Sequence, residues 1–478
     1  MENNFKIVGD IDHINETFNS MRQSHLNDPL PRYEIRIERL KKLLRAVENN
    51  ENALIDAISK DFSYRSEFES YNYDITLTVA DIKYHLRNLK KWMRVKKKHV
   101  SLHLLPGKAK ILPQPLGVIG IISTWNLPVF LSLSAVTGAL AAGNRVILKP
   151  SELTKNTSDI IYNIANDYFN NDEFSVFRGG SEIGEALANL KLNHLHFTGS
   201  KKTAKIILNI TANHLTPVTL ELGGKSPGIL CPSAKINYSA KRIVYGKLAN
   251  AGQVCITPDY VLVKKSELYN FLEQLKIYFK KIYPEFINSP DYTSIINQEN
   301  FSRLSRLVEE AKGNSEKVIF MSPDKEYLID GRRNFPFTII LNPDQDLKVS
   351  TEEIFGPILP IITYDDLEEA IKYVKKNDEP LAIYIFSEST YEKDRVLKQT
   401  ISGGVSINEV LFQGICNSLP FGGVGASGFG SYHGEAGFNA FSHLKPIFEQ
   451  PKINLTFLLS PPVTPFKRFF SKILRKIV

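Results

Sequence analysis

A thiol that attacks a carbonyl carbon needs a base or positive field to make thiolate, a donor for the developing oxyanion, and a route by which the acyl group leaves. Cys255 lies in Ala-Asn-Ala-Gly-Gln-Val-Cys-Ile-Thr-Pro-Asp-Tyr, residues 249–260, a small-residue run ending at a proline. That composition predicts a tight loop between a helix and a strand, where functional side chains are often displayed. A lone cysteine is more often a small buried hydrophobe, so Cys255 needs partners elsewhere in the chain. Asn126, in Thr-Trp-Asn-Leu-Pro, is a neutral donor able to hold an oxyanion, and equally a residue that caps a helix. Glu221, in Glu-Leu-Gly-Gly-Lys-Ser-Pro, is a candidate general base or one half of an ion pair with Lys225. Glu353 sits in a turn of small and aromatic residues, suited to a sugar hydroxyl or to a structural bond. Lys149 and Glu152, in Leu-Lys-Pro-Ser-Glu, suit the ribose hydroxyls of an adenine nucleotide. Gly199 and Ser200 open a helix whose first amides face outward, as a pyrophosphate requires.

The elements that must position these residues alternate regularly. Apolar strands are predicted at 117–122, 145–148, 174–177, 194–197 and 218–220, with helices at 127–142, 154–169, 182–190 and 201–211. Such alternation predicts a parallel, doubly wound sheet with ligands at the carboxyl ends of its strands. Strands at 228–230 and 260–263, with helices at 236–250 and 267–279, restart the pattern after 221 and carry Cys255. A helix at 301–311, a strand at 337–341 and a helix at 367–376 follow. Ahead of the first sheet, helical periodicity runs from 11 to 98, and short runs at 101–105 and 110–112 flank Pro106-Gly107 as a predicted hairpin.

Composition removes several function classes. The 478 residues are 43% hydrophobic and 23% charged, ordinary for a globular protein. Cys231, Cys255 and Cys416 are widely spaced with no CxxC pair, which argues against zinc and for a reducing, cytoplasmic setting. The N-terminus lacks a secretory signal, and no apolar run is long enough to span a bilayer. The net charge of +8 is concentrated between Lys90 and Lys98 and at the C-terminus, without the aromatic-basic modules of nucleic-acid binding. Gly423, Gly425 and Gly428 spell GxGxxG but follow no predicted strand, and Gly224-Lys225-Ser226 lacks the earlier glycine of a phosphate loop, where Thr219 stands.

Six stretches taken together resemble the aldehyde dehydrogenases: Thr-Trp-Asn-Leu-Pro (124–128), Lys-Pro-Ser-Glu (149–152), Phe-Thr-Gly-Ser (197–200), Glu-Leu-Gly-Gly-Lys-Ser-Pro (221–227), Asn-Ala-Gly-Gln-Val-Cys (250–255) and Glu-Glu-Ile-Phe-Gly-Pro (352–357). The resemblance covers about 30 to 450. Pro-Asp-Tyr after the cysteine, Leu-Pro-Phe-Gly-Gly-Val-Gly, Tyr432-His433-Gly434 and the absence of a long N-terminal extension resemble the class 3 branch, which includes fatty-aldehyde and coniferyl-aldehyde dehydrogenases. It implies NAD(P)-dependent oxidation of an aromatic or medium- to long-chain aliphatic aldehyde to the carboxylate. Cys255 would be the nucleophile, Asn126 and the Cys255 backbone N–H the oxyanion donors, and Glu221 the base for the hydrolytic water. Lys149 and Glu152 would bind the adenine ribose, Gly199 and Ser200 the pyrophosphate, and Glu353 with Phe355 the nicotinamide ribose. Trp125, Lys201, Lys202, Thr203, Ala204 and Leu222 complete the implied cofactor contacts; no metal is implied.

The fold implied is a doubly wound, Rossmann-like cofactor domain with an α/β catalytic domain and a small β oligomerisation arm, assembled as a homodimer. Its units are a helical lead-in packed on the cofactor domain (1–98), an arm hairpin (99–115), the dinucleotide-binding domain (116–220) and the catalytic domain (221–410). A Gly-rich loop returns to the arm (411–450), and a basic amphipathic tail follows (451–478). Three departures stand out. Lys201-Lys202 bring charge toward the expected phosphates and leave NAD and NADP open, Val254 removes a hydroxyl beside the thiol, and Gln413 stands where many relatives have His, near the expected substrate tunnel. Phe466, Phe469, Phe470, Ile473, Leu474 and Ile477 form one helical stripe, with Lys467, Arg468, Lys472, Arg475 and Lys476 elsewhere on the helix. Such a helix docks on its own core or a partner subunit, or lies on an anionic membrane. Two other functions share the motifs: a CoA-acylating relative, which Glu221 argues against, and a non-catalytic protein of the same fold.

Overall fold

In the computed structural model, which describes residues 2–286, 288–314, 316–322, 328–329 and 332–477, the apolar runs between 118 and 222 lie side by side in one sheet. Its order is Gly428–Phe429, Val218–Leu222, His194–Gly199, Val118–Ile122, Arg145–Lys149 and Phe174–Val176. All pairings are parallel except the first. Val118–Ile122 and Arg145–Lys149 are buried from end to end, as strands sandwiched between helices must be. Helix Pro128–Ala142 is buried on every side, which explains its uniformly apolar and small composition. The chain thus has the doubly wound, Rossmann-like architecture expected of it.

Two details differ from the expectation. The last parallel strand runs two residues further, to Leu222, so Glu221 belongs to the first sheet. Gly428 and Phe429 pair antiparallel with it, opposite Glu221 and Leu220, so the glycine-rich loop supplies an edge strand.

A second sheet holds Lys317–Phe320, Thr338–Leu341, Ile358–Tyr364, Tyr260–Lys264, Pro227–Leu230, Ala382–Phe386 and Gly404–Ile407 in that order, again with only the first pairing antiparallel. The third sheet is antiparallel: Lys96–Lys98, Lys108–Pro115 and Ser442–Glu449. The strand expected at 101–105 does not form, and Leu102–Leu104 make a single 3-10 turn. Leu102, Leu104 and Leu105 are exposed and gain nothing from extension, whereas three lysines at 96–98 suit an edge strand that faces water.

The helices Tyr33–Asn49, Glu51–Asp61 and Leu77–Trp92 pack Leu40, Leu43, Val47, Ile58 and Leu89 onto Val129, Leu133 and Ile164 of the first sheet's helices. Within this packing, Arg65 Nη1 lies 2.9 Å from Asp74 Oδ2, and both side chains are fully buried. Asp74 Oδ1 also accepts the backbone N–H groups of Val129 (2.9 Å) and Phe130 (3.2 Å), capping helix Pro128–Ala142 with a carboxylate from another element.

The C-terminal helix Pro465–Ile477 packs on the Thr456–Leu459 turn just before it. Phe466, Phe469 and Ile473 remain 63%, 62% and 38% exposed, so the stripe is not docked on the described core of its own chain. The Ile477 side chain lies outside the described residues. None of the described helices is long and apolar enough to cross a membrane.

Removing one partner of the Arg65–Asp74 pair strands a buried charge and uncaps a buried helix. Asp74→Ala is expected to lower unfolding stability by about 3–5 kcal/mol in urea titration, and a loss below about 1 kcal/mol contradicts that role.

Candidate active site

The nucleophile loop departs from helix Ile236–Leu248 through three consecutive left-handed residues, Asn250 (φ 50°), Ala251 (φ 52°) and Gly252 (φ 77°). Two of the three are not glycine, so tertiary bonds must hold the conformation. The Asn250 backbone N–H donates to Glu69 (2.9 Å), and its side-chain amide donates to the carbonyls of Asn126 (3.0 Å) and Gln253 (3.2 Å). Gln253 donates to the carbonyls of Asn250 (3.0 Å) and Ser294 (3.1 Å) and accepts from the Ile296 N–H (2.9 Å). A Cβ on Gly252 would come 2.4 Å from the Gly356 carbonyl oxygen, so this loop packs backbone against backbone on the segment that carries Glu353 and Phe355.

Cys255 stands on a wall shared by two cavities. One, of about 360 Å³, is lined almost entirely by apolar groups, among them Phe68, Leu77, Phe130, Leu131 and Val254. The other, of about 290 Å³, lies at the carboxyl end of the first sheet and brings together Trp125, Asn126, Gly199, Ser200, Glu221, Leu222, Glu353 and Phe355. Tyr432 borders both.

Asn126 is 1% exposed, and its side-chain nitrogen has no partner. The cap it was expected to provide comes from Asp74, which leaves this amide free to face a ligand. Glu221 is 3% exposed with neither carboxyl oxygen bonded, and burial drives its pKa well above the usual carboxylate range. The ion pair with Lys225 does not form: Lys225 Nζ donates instead to Asp259 and to the carbonyls of Val349 and Glu352. Burial pushes the Cys255 thiol up as well, and the Glu353 and Glu221 carboxyls add to the push. Glu353 accepts from the Gly224 N–H (3.2 Å), and burial with the nearby Asp259 raises its pKa to about 8. A Cβ on Gly223 would overlap its carboxylate at 1.8 Å, so only glycine admits the side chain there. Trp125 and Phe355 meet edge to face at 5.3 Å.

Lys149 and Glu152 lie apart from the thiol. Lys149 is buried and donates to Glu152 (2.5 Å), which borders a third cavity of about 610 Å³ with Ser151, Tyr162 and Arg178. Burial raises the Glu152 pKa, but the Lys149 bond, the residue's own backbone N–H and the Lys149 charge together outweigh it and hold the carboxylate low. Ser200 caps helix Lys201–Ala212 by accepting the Thr203 N–H (3.2 Å). Lys201 pairs with Asp378 (2.8 Å), Lys202 and Thr203 are exposed, and Ala204 is buried beneath the helix. A glycine-walled cleft with capped helix amides at one end and a free buried carboxyl at the other fits an elongated dinucleotide.

Gln413 braces the nucleophile loop from behind. Its amide donates to the Tyr384 hydroxyl (3.2 Å) and accepts from Ser406, and Tyr384 donates to the Ile256 carbonyl, one residue past the thiol. Its influence on the apolar cavity passes through this chain of bonds, since its neighbours Leu411, Phe412 and Gly414 face that cavity. Arg65, Glu69, Asp74 and Tyr432 escape sequence reasoning because a buried polar residue within a helical or loop pattern has no periodic signal. Tyr432 alone left a trace, as part of the class 3 segment.

Residues 16–447 match the model of the aldehyde dehydrogenase family. A probable coniferyl aldehyde dehydrogenase of Pseudomonas aeruginosa is 40% identical over 453 residues, 95% of this chain and 94% of that one. Rat aldehyde dehydrogenase family 3 member A2 is 38% identical over 437 residues, 91% of this chain and 87% of the relative. The substrate-bound structure of Staphylococcus aureus AldH superposes with a TM-score of 0.91 at 34% identity, covering 96% of this chain and 99% of that one. The chain belongs to the aldehyde dehydrogenase family, as an NAD(P)-dependent enzyme similar to its family 3 members.

The raised Glu221 pKa has a stability consequence of fixed sign. The folded chain keeps this proton to higher pH than the unfolded chain, so stability is greatest at low pH and is lost as pH rises from the ordinary carboxylate range through the raised value. Glu221→Gln is therefore expected to raise the melting temperature over wild type at alkaline pH, with a difference that shrinks toward pH 4.5. A pH-independent difference in calorimetry contradicts it.

Proposed function

We propose that this enzyme oxidises an aromatic or medium- to long-chain aliphatic aldehyde to its carboxylate through a covalent adduct on Cys255. The observation that carries the reading is a thiol on the wall between an apolar chamber and the cofactor cleft, beside an amide and a carboxyl with no internal partners. Glu221, the buried carboxyl that shares the cleft with the thiol, is the base that takes the thiol proton. Cys255 attacks the aldehyde carbon, and the oxyanion is held by the Asn126 side-chain N–H and the Cys255 backbone N–H. NAD(P), when bound, supplies the hydride acceptor. Glu221 gives the thiol proton up to solvent and then draws one from the water that hydrolyses the thioester.

Lys149 and Glu152 hold the adenine ribose, Gly199, Ser200 and the amides opening helix Lys201–Ala212 hold the pyrophosphate, and Glu353 with Phe355 holds the nicotinamide ribose. Trp125 and Leu222 wall the same cleft. Glu152 stays anionic and Lys201 is occupied by Asp378, which favours a free ribose hydroxyl over a ribose phosphate. NAD is therefore the expected preference. Val254 in the apolar chamber and the name of the Pseudomonas relative both support a hydrophobic aldehyde.

Benzaldehyde, coniferyl aldehyde and the straight-chain aldehydes from hexanal to hexadecanal, each run with NAD and with NADP, are expected to give turnover that Cys255→Ala abolishes. Turnover retained in that variant removes the nucleophile.

The exposed stripe on Pro465–Ile477, flanked by Lys467, Arg468, Lys472 and Arg475, supports peripheral docking of this cytoplasmic enzyme on an anionic bilayer. The exposed edge Ser442–Glu449 of the antiparallel arm supports a homodimer formed through that sheet. Deleting 461–478 is expected to abolish co-sedimentation with phosphatidylserine vesicles while leaving a dimer in sedimentation velocity. Equal vesicle binding by both chains sinks the membrane reading, and a monomeric wild type sinks the dimer.

A further inference from the structure

Tyr432 has no part in the chemistry above, yet it borders both chambers that meet at Cys255. The residue is 1% exposed, and its hydroxyl has no hydrogen-bond partner. The ring is fixed from several sides. His196 lies edge to face at 4.8 Å, Phe421 at 5.7 Å and His433 at 4.4 Å, and the Tyr432 backbone exchanges two hydrogen bonds with Phe421 (2.8 and 2.9 Å). Packing sets where the hydroxyl points, without help from bonds of its own. An unpaired buried hydroxyl costs about 1–3 kcal/mol, and phenylalanine would fill the same space without that penalty. Orphaned polar groups in a native structure mark places where something transient binds. Glu221, Cys255 and Tyr432 line the same cavity, so all three meet at one junction.

We propose that the Tyr432 hydroxyl, together with Glu221, holds the water that hydrolyses the thioester on Cys255. The inference rests on the reading of Glu221 as the deacylating base. A water molecule offers two hydrogens and two lone pairs. With one hydrogen accepted by Glu221 and the other by the Tyr432 oxygen, a lone pair is left for the thioester carbon. As the C–O bond forms, the water's proton passes to Glu221 and the carbonyl electrons move onto oxygen, held by Asn126 and the Cys255 N–H. Those electrons return, the C–S bond breaks, and the departing thiolate recovers the proton from Glu221. A carboxylic acid and the free thiol result. Tyr432 keeps its own proton throughout and acts by holding the water.

Tyr432→Phe removes one oxygen atom and leaves the packing intact. With hexanal and NAD in rapid mixing, this variant is expected to release about one NADH per subunit in a burst, followed by a steady state at least about tenfold slower than wild type. Intact mass at steady state should show the acyl group on Cys255, and the melting temperature should equal or exceed that of wild type. A steady-state loss below about threefold, slow turnover with neither burst nor adduct, or a lowered melting temperature overturns the proposal. Glu221→Gln separates the two readings. If it too gives a burst and an adduct while Tyr432→Phe gives none, only the role of Tyr432 falls. If Glu221→Gln keeps the wild-type steady-state rate, the deacylating base itself is wrong.

Discussion

The backbone carbonyl oxygen of Asn126 is where the active site is tied together. It accepts from Arg65 of the helical lead-in (3.4 Å) and from the side chain of Asn250 in the nucleophile loop (3.0 Å). The same Arg65 is paired with Asp74, which caps the helix that starts just after Asn126. Glu69, five residues before Asp74, receives the Asn250 N–H with one oxygen and the Thr293 hydroxyl with the other. One short segment, 65–74, is therefore bonded to both the Asn126 turn and the loop that carries Cys255, although it does not line the cleft at the carboxyl end of the first sheet. The Arg65, Glu69 and Asp74 side chains are buried, so little in this arrangement depends on ionic strength.

Around that knot the molecule tolerates a concentration of unmet hydrogen-bonding capacity. The Asn126 amide, both Glu221 oxygens and the Tyr432 hydroxyl are buried and unbonded within one junction. Beside it, Lys225, Asp259, Gln253 and Glu69 are bonded two or three times each. The contrast is energetic as well as spatial. Groups solvated by the protein are insensitive to a visitor, whereas groups left open gain most when charge develops beside them. Burial also lifts both Glu221 and Cys255 in pKa, since the junction penalises charge on either.

Much of this was legible in the residues, for identifiable reasons. Strands such as 118–122 and 145–149 are apolar throughout because both faces are covered, and the motif residues stand at their ends, where the chain leaves the sheet. Glu221 and Asn126 announce themselves by polarity amid apolar surroundings. The local alternatives for both failed on tertiary grounds: Asp74 took the helix cap, and Asp259 took Lys225. The arm was misread at 101–105 because alternation alone does not reveal whether a facing strand exists. The sequence places Gln413 near the apolar chamber but does not tell that its side chain turns to Ser406 and Tyr384. Arg65 and Glu69 left no signal, since their partners lie 61 and 181 residues away.

The contact between Gly252 and Gly356 bears on how the site can vary. One hydrogen atom separates the nucleophile loop from the segment carrying Glu353 and Phe355, so these two walls of the pocket behave mechanically as a single piece. A side chain at Gly252 would force these two segments apart. The rest of the apolar chamber is walled by other elements. Phe68 and Leu77 in the helical lead-in and Leu131 in the first sheet's buried helix can change in bulk without disturbing the reacting atoms. In this molecule the reaction and the substrate are written on different parts of the chain.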